Sequence, residues 1–452
     1  MPDIKPKKSE GKLIRHFTPQ DYQSSLPINI QLVEDRIRLG AKSVDLPEWV
    51  EQEIRSSNLV TGNGEMVSFC GLITKEKDDI WLFIPRGALN PENQGSKLKL
   101  AALVTNCIER YARQSKTNIN ANSAEEGFQG NSQICVIREL LEDYRTNGLY
   151  VTSYRQSTIN QGKTNWKRTI RKITPYPDSD GMPVYPVLLG DRRNYSLDSI
   201  VTAIHATVIY RLDKMFGWWI TGDAAGRVAR ELEETHGLHE RNKYCLAMLR
   251  KERTMVFSDR NLHLISNLIK YFENNTDRKT SNVVIGLRDF HWAWEHMLGE
   301  VLQFRTRLNQ DLPTPVYYHK GGKLDVNSTM RTDIILEKEM DKRAIVVDAK
   351  YYAATCGGNA PGWADLVKQF FYAKALKIIR SDYHIRNVFV FPGADGPLTH
   401  AAIESRDGLN TYDDEFPPIH CVYASPSDVM RHYLAGTKFK KSSDLMQAVL
   451  GD

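Results

Sequence analysis

Between Met330 and Tyr352 the chain reads MRTDIILEKEMDKRAIVVDAKYY, two β-branched runs around a polar stretch from Glu337 to Arg343. Runs of this composition split by a charged turn predict a β-hairpin. With the turn centred on Met340 and Asp341, Asp333 and Asp348 are equidistant from it and stand directly opposite each other. Directly opposed residues share a face, with Cβ atoms about 5 Å apart. Lys350 joins that face through the two-residue period of a strand. Carboxylates this close repel unless something positive lies with them. A hard cation such as Mg²⁺ binds through one or two carboxylates and keeps water on its other positions. With a lysine beside it, the arrangement is that of a metal-dependent phosphodiesterase, in which cation and lysine offset charge developing on phosphorus. The same residues also suit an ordinary buried hairpin with an Asp–Lys pair at its rim, and spacing leaves both readings open.

At 452 residues the chain has room for two or three domains, each with its own core. Hydrophobic residues at 41% and charged residues at 25% are ordinary globular values. The net charge of +5 permits an anionic partner without requiring one, since a local basic patch matters more than the total. The six cysteines, at 70, 107, 135, 245, 356 and 421, are scattered, with no CxxC pair to suggest zinc and no dense framework to suggest secretion, so they are expected to be reduced core thiols. The start MPDIKPKKSEGK lacks the apolar stretch of a signal peptide, and no run of about 18 apolar residues occurs. A soluble, cytoplasmic protein with no membrane partner is expected.

A first unit, residues 1–116, contains the apolar runs FCGLITK and IWLFIPRG around a charged turn at Lys75 to Asp79, which predict a hairpin. SKLKLAALVTNCIERYARQS follows with Leu98, Leu100, Ala101, Val104, Cys107, Ile108 and Tyr111 at helical spacing. Thr117 to Gln133, rich in Asn, Ser and Gly, reads as a linker. The middle region, 117–281, is expected to be mostly helical, with helices in ICVIRELLEDYRTNG and from about 196 to 216, 226 to 252 and 261 to 274. It also carries the most basic stretch, TINQGKTNWKRTIRKITPYP. Lys163, Lys167, Arg168, Arg171 and Lys172 around Trp166 could neutralise backbone phosphates and stack a base. A solvated helix face with a core-anchored tryptophan is the competing reading. The last unit, 282–452, holds the helix FHWAWEHMLGEVLQF, a strand PVYYHKG, the hairpin, a Gly- and Pro-rich connection, a helix from WADLVKQFFYAK, strands NVFVFPG and IHCVYAS, and a short final helix capped by Ser427.

TDIILEKEM followed by AIVVDAKYY is similar to the core signature of the PD-(D/E)xK nucleases, an acid on one strand and acid-x-lysine on the next. The resemblance implies a mixed α/β (α+β) chain ending in a restriction-endonuclease-like α-β-β-β-α-β core. It makes Asp333 and Asp348 metal ligands for Mg²⁺, with Mn²⁺ as a substitute, and Lys350 the catalytic lysine. A glutamate on the preceding helix often completes such metal sites, which nominates Glu295, with Glu300 behind it. A glutamine on the helix after the hairpin nominates Gln369, although Tyr372 falls three residues on, where relatives place a tyrosine four residues on. The wider set of FCGLI…IWLFIPRG, GKTNWKRTI, WAWEHML, TDIIL…VVDAKYY and DLVKQFFYA resembles the McrC and LlaJI type restriction endonuclease subunits across most of the chain.

That resemblance implies a Mg²⁺-dependent DNA endonuclease subunit of a prokaryotic antiphage restriction system, leaving 5′ phosphates on double-stranded DNA. Its partners would be an AAA+ GTPase subunit of McrB type and a cognate DNA methyltransferase. No GxxxxGK[ST] phosphate loop occurs here, in keeping with a motor on another chain. Two alternatives belong to other classes: a catalytically silent DNA-binding or assembly subunit that stimulates a partner NTPase, and a nuclease of the same fold working in DNA repair or transposition.

Overall fold

A computed structural model of the protein describes residues 29–439, except 41–44, 62–63, 76–79, 89–90, 118–130, 222–241, 277–281 and 325–329. The FCGLITK and IWLFI runs form Phe69–Lys75 and Ile80–Ile84, paired antiparallel as a hairpin requires. Most of their turn, like most of the expected linker, lies outside the described residues. Ile30–Glu34 adds in parallel to Ile80–Ile84, and Asn282–Arg288 adds antiparallel to Phe69–Lys75, giving a four-stranded sheet. The boundary expected at residue 282 therefore falls on a strand of the N-terminal sheet. Gly71 and Gly286 face each other in that pairing. A Cβ on Gly71 would lie 2.3 Å from the Ile285 carbonyl oxygen, so no side chain fits between these strands.

One face of this sheet packs on helices Gln94–Thr117, Asn131–Asn147, Ile200–Thr221, Asn242–Arg253 and Asp259–Thr276 in a continuous apolar core. Leu98, Leu100, Ala101, Val104, Cys107, Ile108 and Tyr111 are all buried there, as their spacing predicts. The other face covers Val50 and Ile54 of helix Glu48–Ser56. The helix expected from 226 is described only as Asn242–Arg253.

The middle region is less helical than its sequence suggests. Thr152–Ile159 and Leu189–Ser196 pair antiparallel, Lys163–Thr164 adds to the second of them, and the short basic helix Trp166–Lys172 leans on this sheet. TSYRQSTI and LGDRRNYS have no apolar alternation because most of their side chains are half-buried or exposed.

The C-terminal unit starts with helix His291–Val301 and centres on a six-stranded sheet in the spatial order Arg305–Thr306, Ile334–Lys338, Arg343–Ala349, His384–Pro392, Ile419–Ala424, His400–Ala401. The first three strands are antiparallel, the next two parallel to the third, and the last antiparallel again. Helix Trp363–Ile379 makes the crossover between the parallel strands Arg343–Ala349 and His384–Pro392. The strand expected at PVYYHKG stays outside this sheet: Tyr317–His319 pairs with Gly322–Leu324 as a small exposed ribbon, and Arg305–Thr306 takes its place against Ile335 and Leu336. Tyr317, Tyr318 and His319 offer no alternating apolar face to bury. The last helix, Pro426–Ala435, is capped by Ser425 instead of Ser427, because Pro426 is suited to the first helical turn and leaves the preceding serine to accept from Asp428 N. None of the six cysteines is in a disulfide; Cys356 is exposed, and Cys70, Cys107, Cys135 and Cys245 are buried.

Candidate active site

The hairpin turns through a 3₁₀ segment, Glu339–Asp341, with Lys342 in the left-handed region at φ 48°. This turn sets the register Ile334↔Val347 through Lys338↔Arg343, which carried one step further places Asp333 opposite Asp348. The alternation that follows sorts the side chains. Ile334, Leu336, Ile345 and Val347 enter the large core with Trp294, Met297 and Leu298 of helix His291–Val301, whereas Ile335, Ala344 and Val346 pack with Tyr372, Ala375 and Leu376 of helix Trp363–Ile379. Asp333 and Asp348 are in phase with the second set, so they share the face covered by the crossover helix.

The two carboxyls stand opposite each other, near enough for Asp348 to raise the pKa of Asp333. Asp333 Oδ2 also accepts from Ala349 N at 2.9 Å. Asp348 is 4% exposed. Burial, followed by the negative charges of Glu295 and Asp348, pushes the Asp333 carboxyl up to about 8, with the Ala349 amide opposing them. Lys350 Nζ lies 2.7 Å from Asp348 Oδ2 and 2.6 Å from Asp365 Oδ1. Burial works against its charged form, but the two carboxylates outweigh it and hold the ammonium above the ordinary lysine value. Lys350 is thus a permanent cation at neutral pH.

Asp365 is a member that spacing did not reveal. It sits in the first turn of helix Trp363–Ile379, where Gly362 N donates to its other oxygen at 3.3 Å. A first-turn acid after Gly362 is visible in the sequence as a capping residue, but its reach back to Lys350 is a tertiary fact. Glu295 reaches the pair from another element. Its helix packs on the opposite face of the hairpin, and the side chain acts on Asp333 and Asp348 through space while burial raises its own pKa. Glu300 is engaged elsewhere, with Arg305 at 3.0 Å. Gln369 is buried on the inner face of the crossover helix, and its Oε1 has no hydrogen-bond partner. Tyr372 shares that face and donates to Arg331 O at 2.8 Å, tying the helix to the residues that lead into Asp333.

Among the described residues no group of three or more His, Cys, Asp or Glu side chains is drawn together as a metal site. The donors that meet are Asp333 and Asp348. A buried and a half-buried carboxyl facing each other, the second with a strongly raised pKa, form a site that a hard divalent cation would relieve, and one or two carboxylates suffice for Mg²⁺. The donor set therefore fits such an ion.

The basic segment lies in the middle sheet unit, on an element separate from this centre. Lys163, Trp166, Lys167 and Arg171 are exposed there, Trp166 by 55% with its ring edge-on to Tyr185, so the tryptophan is not core-anchored. Arg168 is different: it turns inward to Ser157 Oγ at 2.7 Å, Asp191 Oδ1 at 3.0 Å and Gly190 O at 2.9 Å, which makes it a structural arginine. No described helix is long and apolar enough to cross a membrane.

A mixed α/β chain with an acidic pair and a lysine at the end of a central hairpin has the makings of a nuclease subunit, and comparison with known proteins gives the family. The LlaJI restriction endonuclease family model matches residues 69–405, well over half of the chain, and the protein belongs to that family. It is 23% identical over 406 residues to the type II restriction enzyme BsuMI component YdjA of Bacillus subtilis strain 168, covering 86% of this chain and 84% of that protein. Among solved structures it is similar to a chain in the refined half-complex from the tetradecameric assembly of Thermococcus gammatolerans McrB AAA+ hexamers with bound McrC, with a TM-score of 0.41 and 11% identity over 93% of this chain and 99% of that one.

Proposed function

We propose that this restriction-system subunit is the one that cuts, hydrolysing phosphodiester bonds of double-stranded DNA at Asp333, Asp348 and Lys350 within a PD-(D/E)xK core. The observation that carries the reading is the buried Asp348 opposite the half-buried Asp333, with a charged lysine 2.7 Å from Asp348. Asp333 and Asp348 would hold a divalent cation, Mg²⁺ or Mn²⁺, which supplies Lewis acidity and lowers the pKa of water. Lys350, kept protonated by Asp348 and Asp365, offsets the negative charge that grows on the phosphoryl oxygens and is not a proton acceptor. Burial excludes bulk water from Asp348 and strengthens these interactions. Family membership supports restriction over repair or transposition.

The chain is read as working in the cytoplasm with a separate AAA+ GTPase and beside a cognate methyltransferase, on the strength of the McrC and LlaJI resemblance. The exposed Lys163, Trp166, Lys167 and Arg171 are read as a contact for DNA. A second reading, a silent assembly subunit, draws on the lack of a three-ligand group among the described residues and on a Lys350 already committed to two carboxylates. One experiment separates them: cleavage of methylated and unmethylated plasmids with Mg²⁺, with and without the GTPase and GTP. The wild type is expected to cut and a folded Asp348→Ala variant to leave the plasmid intact. No cutting by the wild type under any of these conditions favours the silent subunit.

A further inference from the structure

We propose that Tyr351 is a positioning residue for the cleavage centre, its hydroxyl tying the end of the strand that carries Asp348 and Lys350 to the N-terminal unit. The proposal rests on the nuclease reading above. Tyr351 directly follows Lys350 and turns to the opposite side, into the large core, where its ring packs 5.5 Å from Phe290 and 6.2 Å from Trp294. Its hydroxyl accepts from Arg86 N at 3.1 Å, and the same amide donates to Asp35 Oδ1 at 3.0 Å. The hydroxyl also lies 3.6 Å from Cys70 Sγ and near enough to the Asp35 carboxyl to lower its pKa. Asp35, Cys70 and Arg86 all belong to the N-terminal unit, far away in sequence.

These polar groups are costly where they stand. Asp35 is 1% exposed, its Oδ2 has no hydrogen-bond partner, and burial pushes its pKa up to about 6 against the pull of Tyr351, Arg36 and Arg86. An apolar trio of similar volume would serve packing at least as well, so the polar one points to placement as its role. Ring packing tolerates sliding, whereas a hydrogen bond between fixed backbones does not. The same unit grips the site at two further points. Ser68 Oγ donates to Asp289 Oδ1 at 2.7 Å, just ahead of the helix that carries Glu295. Gly87 approaches the end of the neighbouring strand so closely that a Cβ there would lie 2.9 Å from Pro392 O. Lys350 N in turn donates to Val390 O on that strand at 2.9 Å. The lysine is therefore set between two strand ends, each fixed from the N-terminal side.

The test is steady-state cleavage of a duplex by the full chain with its activating partner, together with amide exchange at Lys350, in wild type, Tyr351→Phe, Asp35→Asn and Asp35→Ala. Tyr351→Phe keeps the ring and removes the hydroxyl. It is expected to lower kcat by about ten- to a hundredfold with KM within about twofold, since small displacements of reacting groups cost that much, and to speed exchange at the Lys350 amide. Asp35→Asn, which retains an acceptor, should stay close to wild type, and Asp35→Ala should behave like Tyr351→Phe. A Tyr351→Phe variant with wild-type kcat and unchanged exchange overturns the proposal, as does a fall in activity fully accounted for by a smaller folded fraction. If wild type itself does not cut, the nuclease reading fails, and the exchange result alone still decides whether Tyr351 tethers the strand.

Discussion

The hairpin site and the basic helix of the middle sheet unit both concentrate charge, but they use it in opposite ways. At the hairpin, Asp333, Asp348, Lys350 and Asp365 are gathered on the face covered by the crossover helix, and each is placed by a strand register or a helix end. In the basic helix, Lys167 and Arg171 point to solvent while Arg168 and Thr169 hold the unit together. Charge fixed by burial can do chemistry because its geometry costs nothing to arrange at the moment of reaction. Charge on a solvated surface can attract a polyanion, with a strength set by salt.

The largest expected effect separates these roles. Asp348→Ala or Lys350→Ala should lower cleavage by at least about 10²–10³-fold at every salt concentration. A Lys167→Ala, Arg171→Ala double variant should weaken binding with a shallower salt slope and leave the maximal rate nearly intact, as plasmid cleavage across a salt series would measure. Equal losses of maximal rate from both would erase the distinction.

The junction between the helical core and the unit that carries the basic helix is also expected to weaken in acid. Tyr150 N donates to His205 Nδ1 at 3.0 Å at the root of this unit, so His205 is a neutral acceptor there. Burial holds its pKa down at about 4, below the ordinary histidine value of 6.5. A histidine with a depressed folded pKa contributes fully above its unfolded value, and that contribution is lost as pH falls from about 6.5 through about 4. The full loss is about 3.5 kcal/mol at roughly 1.4 kcal/mol per pH unit, of which about 2.5 kcal/mol falls between pH 7 and pH 4.5. Denaturant melts at pH 7 and pH 4.5 should show it, and His205→Gln should flatten the difference.

Within the basic helix, Thr169→Val should cost about 1–3 kcal/mol, because Thr169 is fully buried and Leu189 N, which donates to its hydroxyl at 3.0 Å, would be left unpaired. Lys167→Ala should stay within about 0.5 kcal/mol. At the far end of the ordered unit, Ser425→Ala should cost about 1 kcal/mol as a lost helix cap. Ser427→Ala should not, since the buried Ser427 Oγ has no hydrogen-bond partner to lose.

The same contrast explains what the sequence made legible. The hairpin could be read because its register is a local matter: β-branched runs of equal reach around one polar turn place Asp333 opposite Asp348 without knowledge of the rest. Asp365 could not be tied to Lys350, because that contact depends on where a helix begins in space. The Arg305–Thr306 strand is two residues long and carries no periodic signal, so the sequence points to PVYYHKG for the third strand. Thr152–Ile159 was missed for a related reason: with its side chains largely exposed it shows no alternation. Arg168 and Lys167 are adjacent basic residues, and only the position of Asp191 distinguishes their roles.

The most direct test of the central claim is a Mn²⁺ titration followed by electron paramagnetic resonance on wild type and on the Asp333→Asn, Asp348→Asn double variant, both checked for native circular dichroism. The wild type should take up Mn²⁺ at one class of site, in competition with Mg²⁺, and the double variant should lose that binding. Equal uptake by the two proteins, or none by either, would contradict the assignment of this carboxylate pair as the cation site of a cutting subunit.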